Sequence, residues 1–492
     1  MSQPSPKPLS QLGLKGGRDV MISSICVDSR EVKEGALFAA LPGSRVHGGE
    51  FIQYALRMDA AAVLTDKEGA EIAQDELANS RAELIVVDHP RRTLAKVAAR
   101  FFEAQPEVIT AVTGTNGKTS VANFTRQIWA GLGKSAVNFG TAGVEGAVSL
   151  PLSHTTPEPV TLHKLLSDLV GNGVTHAAME ASSHGLHQNR LDGVTLTAGA
   201  FTNFSQDHLD YHGTFEAYFD AKMGLFTRVL PEGSTAVINL ADPKGADVVD
   251  IAKGAGLGVI TYGTPEADLA LSGHRFTDTG QDIQIDWKGE GARVHLHLIG
   301  RFQAENICAA LGLVVATGAE LSDCLPILPR LIGVRGRMEL AATRQNGAPV
   351  YVDYSHTPDA VATALQALRP HVMGRIVVVL GAGGDRDAGK RPLMGAAAAA
   401  HSDVVIVTDD NPRSEDPALI RKAVIEGAPE ANEIGDRAHA ILAGVDALRA
   451  GDAMLIAGKG HETGQIVGND IYPFDDVEQA SIAVAALDGL RS

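Results

Sequence analysis

The stretch "AVTGTNGKTS", residues 111–120, combines a glycine-rich turn with a lysine and a threonine, which is the chemistry of a phosphate-binding loop. In such a loop Lys118 reaches the outer phosphates of ATP or GTP, and the Thr119 hydroxyl binds Mg²⁺. One position departs from the usual pattern, because Val112 stands six residues before the lysine, where glycine is expected. The candidate cofactor-binding residues of this shorter loop are Gly114, Thr115, Asn116, Gly117, Lys118, Thr119 and Ser120.

The residues on either side of the loop predict the strand and the helix that must position it. Residues 107–112 are apolar and β-branched, which is typical of a buried strand. After the loop, Val121, Phe124, Ile128 and Leu132 recur at three- and four-residue steps, which predicts a helix. The free N–H groups and the dipole at a helix N-terminus favour an anion, so the loop is suited to hold phosphate.

Two further segments of the central region end in groups that can bind a metal ion or carry charge. The strand predicted in "THAAMEASSHG" ends on Glu180, and "AGAFTNFSQDHLDYHG" runs out to His208. A carboxylate at a neighbouring strand tip commonly holds Mg²⁺ in phosphate-loop enzymes, so Glu180 is the natural candidate. His208 could be a second ligand or a solvated loop histidine. Lys222, in "YFDAKMGLF", is by sequence alone a surface lysine on a helix.

The C-terminal third contains four predicted strands that run into polar loops, in "VYVDYSHTPD", "IVVVLGAGGDRDAGKRP", "VVIVTDDNPR" and "AMLIAGKGHE". Ligands bind beyond the carboxyl ends of strands in an open parallel sheet, so these loops should share one cleft. A dinucleotide site is excluded, because G-x-G-x-x-G would need glycine where Arg386 stands. The predicted cleft residues are Asp353, His356, Arg386, Lys390, Arg391, Asn411, Arg413, Lys459 and Glu462.

Composition narrows the class of protein and of partner. The chain has 492 residues, which favours about three domains, and its net charge of −17 argues against nucleic acid or an anionic membrane as a partner. The three cysteines, Cys26, Cys308 and Cys324, lack C-x-x-C spacing, which predicts a reducing compartment without disulfides. Neither a signal peptide nor a membrane-spanning run is recognisable, so we expect a cytoplasmic protein.

Ten motifs in order resemble those of the Mur ligase family over nearly the whole chain. They are "TGTNGKTS", "TTPE", "MEASSHGL", "DHLDYHG", "GRF", "RGRME", "DYSHTPD", "GGDRDAGKRP", "TDDNPR" and "AGKGHE". The resemblance implies an α/β protein of three domains. These would be a mixed α/β domain at 1–98 that binds a UDP substrate, a phosphate-loop ATPase-like parallel sheet at 99–334, and a Rossmann-like sheet at 335–492 that binds the incoming amino acid.

The resemblance also implies a role for individual residues. Ser29 would contact the uridine nucleotide, Asn306 and Arg337 would seat ATP, and Asp353 would lie near its ribose. Lys222 would carry a CO₂-derived carbamate (N6-carboxylysine) and would share Mg²⁺ with Thr119, Glu180 and His208. The implied catalytic residues are Lys118, Glu180, His208 and Lys222. The implied muramoyl-peptide contacts are Thr155, Thr156, Ser182, Gln188 and Arg190. His154 stands where related chains often carry asparagine, and Ser120 where many carry a second threonine.

The implied reaction joins meso-diaminopimelate to the D-Glu side-chain carboxyl of UDP-N-acetylmuramoyl-L-Ala-D-Glu, with ATP and Mg²⁺, in a monomeric enzyme of peptidoglycan synthesis. In the family, "DNPR" accompanies diaminopimelate, and members that add lysine lack the arginine. The implied amino-acid contacts are Arg386, Asp410, Asn411, Pro412, Arg413, Gly458 and Glu462. A lysine-adding ligase, a folylpolyglutamate synthetase of the same superfamily and an ATP-binding regulator without activity are the alternatives.

Overall fold

The computed structural model describes residues 4–43, 46–140, 143–152, 155–277 and 280–489. At the N-terminus, four parallel strands form a sheet in the order β3-β4-β5-β6, and a two-stranded antiparallel pair, β1-β2, stands beside it. The strands are β1 Lys7–Pro8, β2 Met21–Ile22, β3 Ser24–Cys26, β4 Ala36–Ala39, β5 Ala62–Thr65 and β6 Glu83–Val86. The helices are α1 Ile52–Arg57, α2 Lys67–Ile72, α3 Gln74–Ala78 and α4 Pro90–Phe102, with 3₁₀ turns at Ser29–Glu31 and Gly48–Phe51.

The central sheet has ten strands in the order β16-β15-β14-β13-β12-β11-β7-β10-β8-β9. The strands are β7 Val108–Thr113, β8 Ala136–Gly140, β9 Gly143–Gly146, β10 His176–Glu180, β11 Ala198–Phe201, β12 Thr235–Asn239, β13 Gly258–Tyr262, β14 Leu269–Thr277, β15 Gly280–Trp287 and β16 Glu290–Leu296. The seven strands from β8 to β14 in this order are parallel, whereas β9, β15 and β16 pair antiparallel to their neighbours. The predicted parallel sheet is therefore confirmed for its middle, and antiparallel strands lie at its edges.

Helices cover both faces of the central sheet and bury two apolar cores. They are α5 Lys118–Gly131, α6 Pro159–Gly171, α7 Ser183–His187, α8 Leu209–His212, α9 Phe215–Gly224, α10 Gly245–Gly254, α11 Arg301–Ala316 and α12 Leu321–Cys324. A π-helical turn at Leu225–Val229 extends α9, and a 3₁₀ segment at Leu325–Arg330 extends α12. The predicted strand and helix around the phosphate loop are β7 and α5, and Val121, Phe124 and Ile128 are fully buried.

The C-terminal sheet has six strands in the order β17-β18-β22-β19-β20-β21, all parallel except β17. The strands are β17 Glu339–Thr343, β18 Pro349–Asp353, β19 Ile376–Leu380, β20 Val404–Val407, β21 Asn432–Glu433 and β22 Ala453–Ala457, and β23 Gly464–Val467 and β24 Asp470–Pro473 form a separate hairpin. The helices are α13 Pro358–Leu368, α14 Lys390–His401, α15 Pro417–Ile425, α16 Arg437–Asp446 and α17 Asp476–Leu487, with a 3₁₀ turn at Arg369–His371. The four predicted strands are β18, β19, β20 and β22, so their loops leave one edge together.

The segment that links the N-terminal and central sheets contains a helix rather than an open linker. Helix α4 packs its apolar face into the N-terminal core and also contacts α6 of the central region. The predicted boundary after residue 98 falls inside this helix. The predicted domain limits remain predictions. Among the described helices, none has both the length and the apolar character to cross a lipid bilayer.

Candidate functional site

The phosphate loop is shaped by two glycines whose backbone conformations other residues rarely adopt. Gly114 has φ 144° and Gly117 has φ 86°, and both φ angles lie in the region that favours glycine. A Cβ atom at residue 114 would lie 1.9 Å from Thr202 Oγ1, and one at residue 117 would lie 2.5 Å from Asn306 Oδ1. The loop can therefore make this turn only with glycine at both positions, and the turn leaves the N-terminus of α5 open to a ligand.

Two lysine side chains converge on this loop through their Nζ atoms. Lys118 Nζ donates to the carbonyl oxygens of Gly114 at 3.0 Å and Thr115 at 2.8 Å, and Lys222 Nζ donates to Gly114 O at 2.6 Å. Lys222 is 1% exposed and lies 4.4 Å from the centre of the Tyr218 ring. Burial, and then the charge of Lys118, lowers the pKa of Lys222 well below its usual value. The expectation of a surface lysine from sequence alone is therefore wrong, because α9 presents this side chain inward.

The oxygen ligands predicted for a metal ion lie next to each other. Thr119 Oγ1, on the first turn of α5, donates to Glu180 Oε1 at 2.8 Å, and Glu180 is buried at the tip of β10. Arg337 Nη2 approaches Thr119 Oγ1 at 3.3 Å, and its guanidinium lies 4.4 Å from the centre of the Tyr354 ring. Arg337 precedes the C-terminal sheet, so it brings a positive charge from that region to the phosphate loop.

His208 lies at a bend in the chain, with φ 53°, before the short helix α8. Its Nε2 is 3.4 Å from Asp207 Oδ2, and burial lowers the pKa of its imidazole to about 3 against the opposing pull of Asp207. Asp207 also faces two basic side chains of the C-terminal region, with Oδ2 3.8 Å from His356 Nε2 and Oδ1 4.0 Å from Lys390 Nζ. Asp207 thus connects the central and C-terminal regions at the site.

These residues line a cavity of about 590 Å³, which we call the larger cavity. Asn306 on α11 hydrogen-bonds Gln303 through Nδ2 at 3.1 Å, and Asp353 at the tip of β18 accepts from Met338 N at 2.7 Å and from Ser355. Burial raises the pKa of Asp353. The wall contains the predicted nucleotide residues Thr115, Asn116, Gly117, Lys118, Thr119, Ser120, Asn306, Arg337 and Asp353, together with Glu180, His208 and Lys222.

The predicted muramoyl-peptide residues form a hydrogen-bonded group next to Glu180. Thr156 Oγ1 donates to Glu180 O at 3.0 Å and lies 3.0 Å from Ser182 Oγ. Arg190 donates to Thr156 O at 2.6 Å and to the side-chain oxygen of Gln188 at 2.8 Å. Thr155 and Ser182 line the larger cavity. His154 lies outside the described residues.

Ser29 lies in another part of the molecule. It begins the 3₁₀ turn of the N-terminal region, which Asp28 caps, and it is half-buried. It is not among the described residues that line either cavity. Ser29 could therefore contact only a distal part of a long substrate.

A second cavity, of about 280 Å³, adjoins the first at the carboxyl ends of β19, β20 and β22, and we call it the smaller cavity. It contains the predicted residues Arg386, Asp410, Asn411, Arg413, Gly458 and Glu462. Arg413 Nη1 donates to Gly384 O at 2.8 Å, and the residue has φ 53°. Pro412, which precedes Arg413, is buried and is not among the described residues of this cavity wall. The two cavities share the wall residues Asp207, His208, Tyr354 and His356.

Two cations predicted for the C-terminal cleft take other positions. Arg391 is buried and pairs with Glu415 at 2.8 Å, and Lys459 is fully buried beneath the smaller cavity. Neither is among the described residues of the cavity walls. The prediction for them is wrong because a strand-tip loop has an inner as well as an outer side, and spacing does not distinguish the two.

Sequence reasoning missed two aromatic rings of the site. Tyr354 separates the cavities and stacks under Arg337. His184 lines the smaller cavity, and its ring centre is 4.8 Å from that of His208. Both lie within motifs that resemble those of the Mur ligase family. Their position beside predicted site residues could therefore have identified them. Among the described residues, no group of three or more His, Cys, Asp or Glu side chains is arranged to hold a metal ion.

Comparison with known proteins matches three family models along the chain. Residues 21–102 match the family model described as "Mur ligase family, catalytic domain", residues 112–314 match "Mur ligase middle domain", and residues 336–460 match "Mur ligase, glutamate ligase domain".

Two curated relatives carry the name UDP-N-acetylmuramoyl-L-alanyl-D-glutamate–2,6-diaminopimelate ligase. The protein of Bradyrhizobium diazoefficiens is 49% identical over 471 residues, which is 94% of this chain and 95% of that protein. The protein of Brucella melitensis is 47% identical over 469 residues, or 95% of each chain. A solved structure of a ligase with the same name is 32% identical, covers 99% of both chains and superposes with a TM-score of 0.70.

Proposed function

The chain belongs to the Mur ligase family, and from that premise we propose that it ligates diaminopimelate to UDP-N-acetylmuramoyl-L-alanyl-D-glutamate at the expense of ATP. It is an ATP-dependent, ADP-forming ligase of peptidoglycan synthesis. The observation that carries the proposal is the pair of adjoining cavities, because one contains a phosphate loop and the other contains arginines, carboxylates and an amide suited to an amino acid. Relatives named for this reaction match nearly the whole chain, which favours this function over that of a folylpolyglutamate synthetase.

The chemistry requires the two cavities to meet. A D-Glu carboxylate oxygen attacks the γ-phosphorus of ATP, ADP leaves, and an acyl phosphate forms. The amine of diaminopimelate then attacks the acyl carbon, the tetrahedral intermediate expels phosphate, and the amine nitrogen loses a proton. ATP and the nucleotide dipeptide are both anionic, so the protein acts mainly by positioning and by charge neutralisation. The shared wall of Asp207, His208, Tyr354 and His356 is where acyl phosphate and amine would come together.

The residues of the larger cavity fit a bound Mg²⁺. Thr119 and Glu180 offer hard oxygen atoms 2.8 Å apart beside the phosphate loop, which is the donor type that Mg²⁺ prefers. His208, held neutral by its lowered pKa, could bind directly or through water. When bound, the ion would neutralise phosphate charge. Lys118 and Arg337 would supply the remaining positive charge to the transferring phosphoryl group.

We propose that Lys222 is carbamylated in the active enzyme. Burial lowers the pKa of this amine and so favours its neutral form, whose nitrogen can attack CO₂ to form N–COO⁻ with release of a proton. The product would place two hard oxygen atoms beside Lys118. Its negative charge would offset that of Lys118, and its oxygens would add a metal ligand to Thr119, Glu180 and His208.

We propose that the amino acid is meso-diaminopimelate and that Arg413 recognises its distal carboxylate. Lysine lacks that carboxylate, so it would leave the planar guanidinium without its ionic partner. Arg386, Asp410, Asn411, Gly458 and Glu462 would hold the remaining polar groups, with Glu462 facing the distal ammonium. Thr155, Thr156, Ser182, Gln188 and Arg190 would hold the muramoyl-peptide, Ser29 would contact its uridine nucleotide, and the enzyme would act as a cytoplasmic monomer.

The test is ADP release by the purified enzyme with UDP-N-acetylmuramoyl-L-Ala-D-Glu, ATP, Mg²⁺ and a panel of amino acids. We expect release only when the nucleotide dipeptide and meso-diaminopimelate are both present, with lysine poorer by roughly 10⁴-fold in kcat/KM. Comparable kcat/KM values for lysine and diaminopimelate would overturn the assignment of meso-diaminopimelate as the selected amino acid. Release with a folate and glutamate, but not with the nucleotide dipeptide, would overturn the proposal.

A further inference from the structure

A fully buried ammonium group lies beneath the smaller cavity. Lys459, in the loop after β22, has no exposed side-chain surface. Its Nζ donates to Asn411 Oδ1 at 3.0 Å and to Glu462 Oε2 at 3.2 Å. Both partners line the cavity, whereas Lys459 is not among its described wall residues. Lys459 therefore contacts the groups that face the ligand from the side that the ligand cannot reach.

Lys459 determines which way the Asn411 amide points. An ammonium group only donates hydrogen bonds, so Asn411 must turn its oxygen towards Lys459. That oxygen also accepts from Ile466 N at 2.9 Å, and the amide nitrogen donates to Glu462 Oε2 at 2.8 Å. The opposite orientation would set the amide nitrogen against Lys459 and the amide oxygen against a carboxylate. Both contacts would then be repulsive.

The same ammonium group also fixes Glu462. A buried charge requires an opposite charge close by, and the Glu462 carboxylate supplies it. Both recorded hydrogen bonds to this carboxylate use Oε2, one from Lys459 and one from Asn411. Oε1 is therefore the oxygen that Glu462 can offer to a ligand ammonium, from a carboxylate whose rotation is restricted on its other side.

We infer that Lys459 is a positioning residue that sets amino-acid selectivity by holding Asn411 and Glu462 in one arrangement. The inference rests on the proposed function and adds to it a residue that does not touch substrate. Without the ammonium group, the amide can rotate and Glu462 retains an uncompensated charge. Recognition of the distal end of diaminopimelate should then weaken, whereas the larger cavity should be unaffected.

The experiment compares wild type with Lys459→Met in steady-state kinetics for all three substrates. We expect the KM for meso-diaminopimelate to rise about 10- to 100-fold and its preference over lysine to shrink. The KM values for ATP and the nucleotide dipeptide should stay within about twofold. Lys459→Gln, which keeps a donor without the charge, replaces the methionine variant if thermal melting shows that the latter is unfolded.

A matched control and a double variant separate positioning from loss of stability. Arg375→Met removes a salt bridge of 2.7 Å to Asp452 at the opposite edge of the same sheet, and it should leave every KM unchanged. In a Glu462→Gln background, the further change Lys459→Met should raise the KM for diaminopimelate much less than it does alone.

The possible results are distinct. An unchanged KM for diaminopimelate in Lys459→Met, or an equal rise for all three substrates, overturns the inference and leaves the proposed function standing. Additive effects of the Lys459 and Glu462 changes overturn it as well. Wild-type enzyme that does not ligate diaminopimelate overturns the proposed function, and this inference with it.

Discussion

The two cavities are built in different ways although they share a wall. In the larger cavity, main-chain groups do most of the shaping, since two glycines with positive φ form the loop and Lys118 and Lys222 are bound to its carbonyl oxygens. In the smaller cavity, side chains hold one another, with Lys459, Asn411 and Glu462 in a single network. Changes in the larger cavity should therefore affect the reaction with any amino acid, and changes in the smaller one should affect the choice of amino acid.

The hairpin β23–β24 helps to hold the loop of the smaller cavity that carries Asp410 and Arg413. Arg413 N donates to Ile466 O at 3.0 Å, and Gly468 N donates to Arg413 O at 2.7 Å. Gln465 Nε2 donates to Asp410 O at 2.7 Å. The loop that carries Arg413 is thus fixed from outside the sheet, whereas the phosphate loop is also bonded by Asn203 and Lys222 of its own central region.

The largest expected effect is that of Lys118→Ala in the larger cavity. Loss of a charge aimed at the transferring phosphoryl group should lower kcat about 10³-fold with every amino acid tested. ADP release measures the loss, and circular dichroism checks that the fold is kept. Lys134→Ala, on an exposed residue just beyond the end of α5, is the control and should retain full activity. Near-normal turnover in Lys118→Ala would refute the assignment of the phosphate loop.

Lys222→Ala should reduce ligation about 10²-fold or more, because it removes the group that holds Gly114 O and, with it, the oxygens of the proposed carbamate. Added formate or acetate should restore part of the activity by supplying a carboxylate to the vacated space. Lys164→Ala, on an exposed lysine paired with Asp168, should be insensitive to both additives. Full activity without rescue, together with an unmodified mass for Lys222 in the native enzyme, would contradict the carbamate.

Arg413→Ala should change one substrate only. The KM for diaminopimelate should rise about 100-fold, because its distal carboxylate loses a charged partner, and the KM for ATP should stay within twofold. Arg421→Ala serves as the control, since Arg421 pairs with Asp409 and Glu433 and is not among the described residues of the smaller cavity. An equal rise in the KM for ATP would mean that the two cavities are not separable in the way proposed.

The sequence predicted the larger cavity better than the smaller one, for a physical reason. A phosphate loop is local, so Gly114 to Ser120 can be recognised from one short stretch and its flanking periodicity. The inward direction of Lys222 depends on how α9 packs against the loop, which no local pattern contains. Parallel strands could be predicted to bring Asn411 and Glu462 to one edge, but the buried position of Lys459 depends on contacts between separate loops.

The smallest expected effect is that of a residue outside both cavities. It serves as a reference for the changes made within them. His163 on α6 is buried, and neither ring nitrogen has a hydrogen-bond partner among the residues that the structure describes. Burial lowers its pKa to about 4, so the unfolded chain takes up a proton first as the pH falls. Its contribution to stability is therefore constant above about pH 6.5 and is lost progressively between about pH 6.5 and pH 4.

Replacement of His163 by leucine should remove this pH dependence. Between pH 7.5 and pH 5.5, wild type should lose about 1 kcal/mol more of its free energy of unfolding than His163→Leu does, as measured by urea denaturation. His439→Leu, on an exposed histidine, should behave like wild type. Because α6 packs against α4 and His163 lines neither described cavity wall, the KM values for ATP and diaminopimelate should both be unchanged. A change in either KM would show that the packing of α6 is coupled to a cavity. The N-terminal region, which contacts α6 through α4, would then also influence substrate binding.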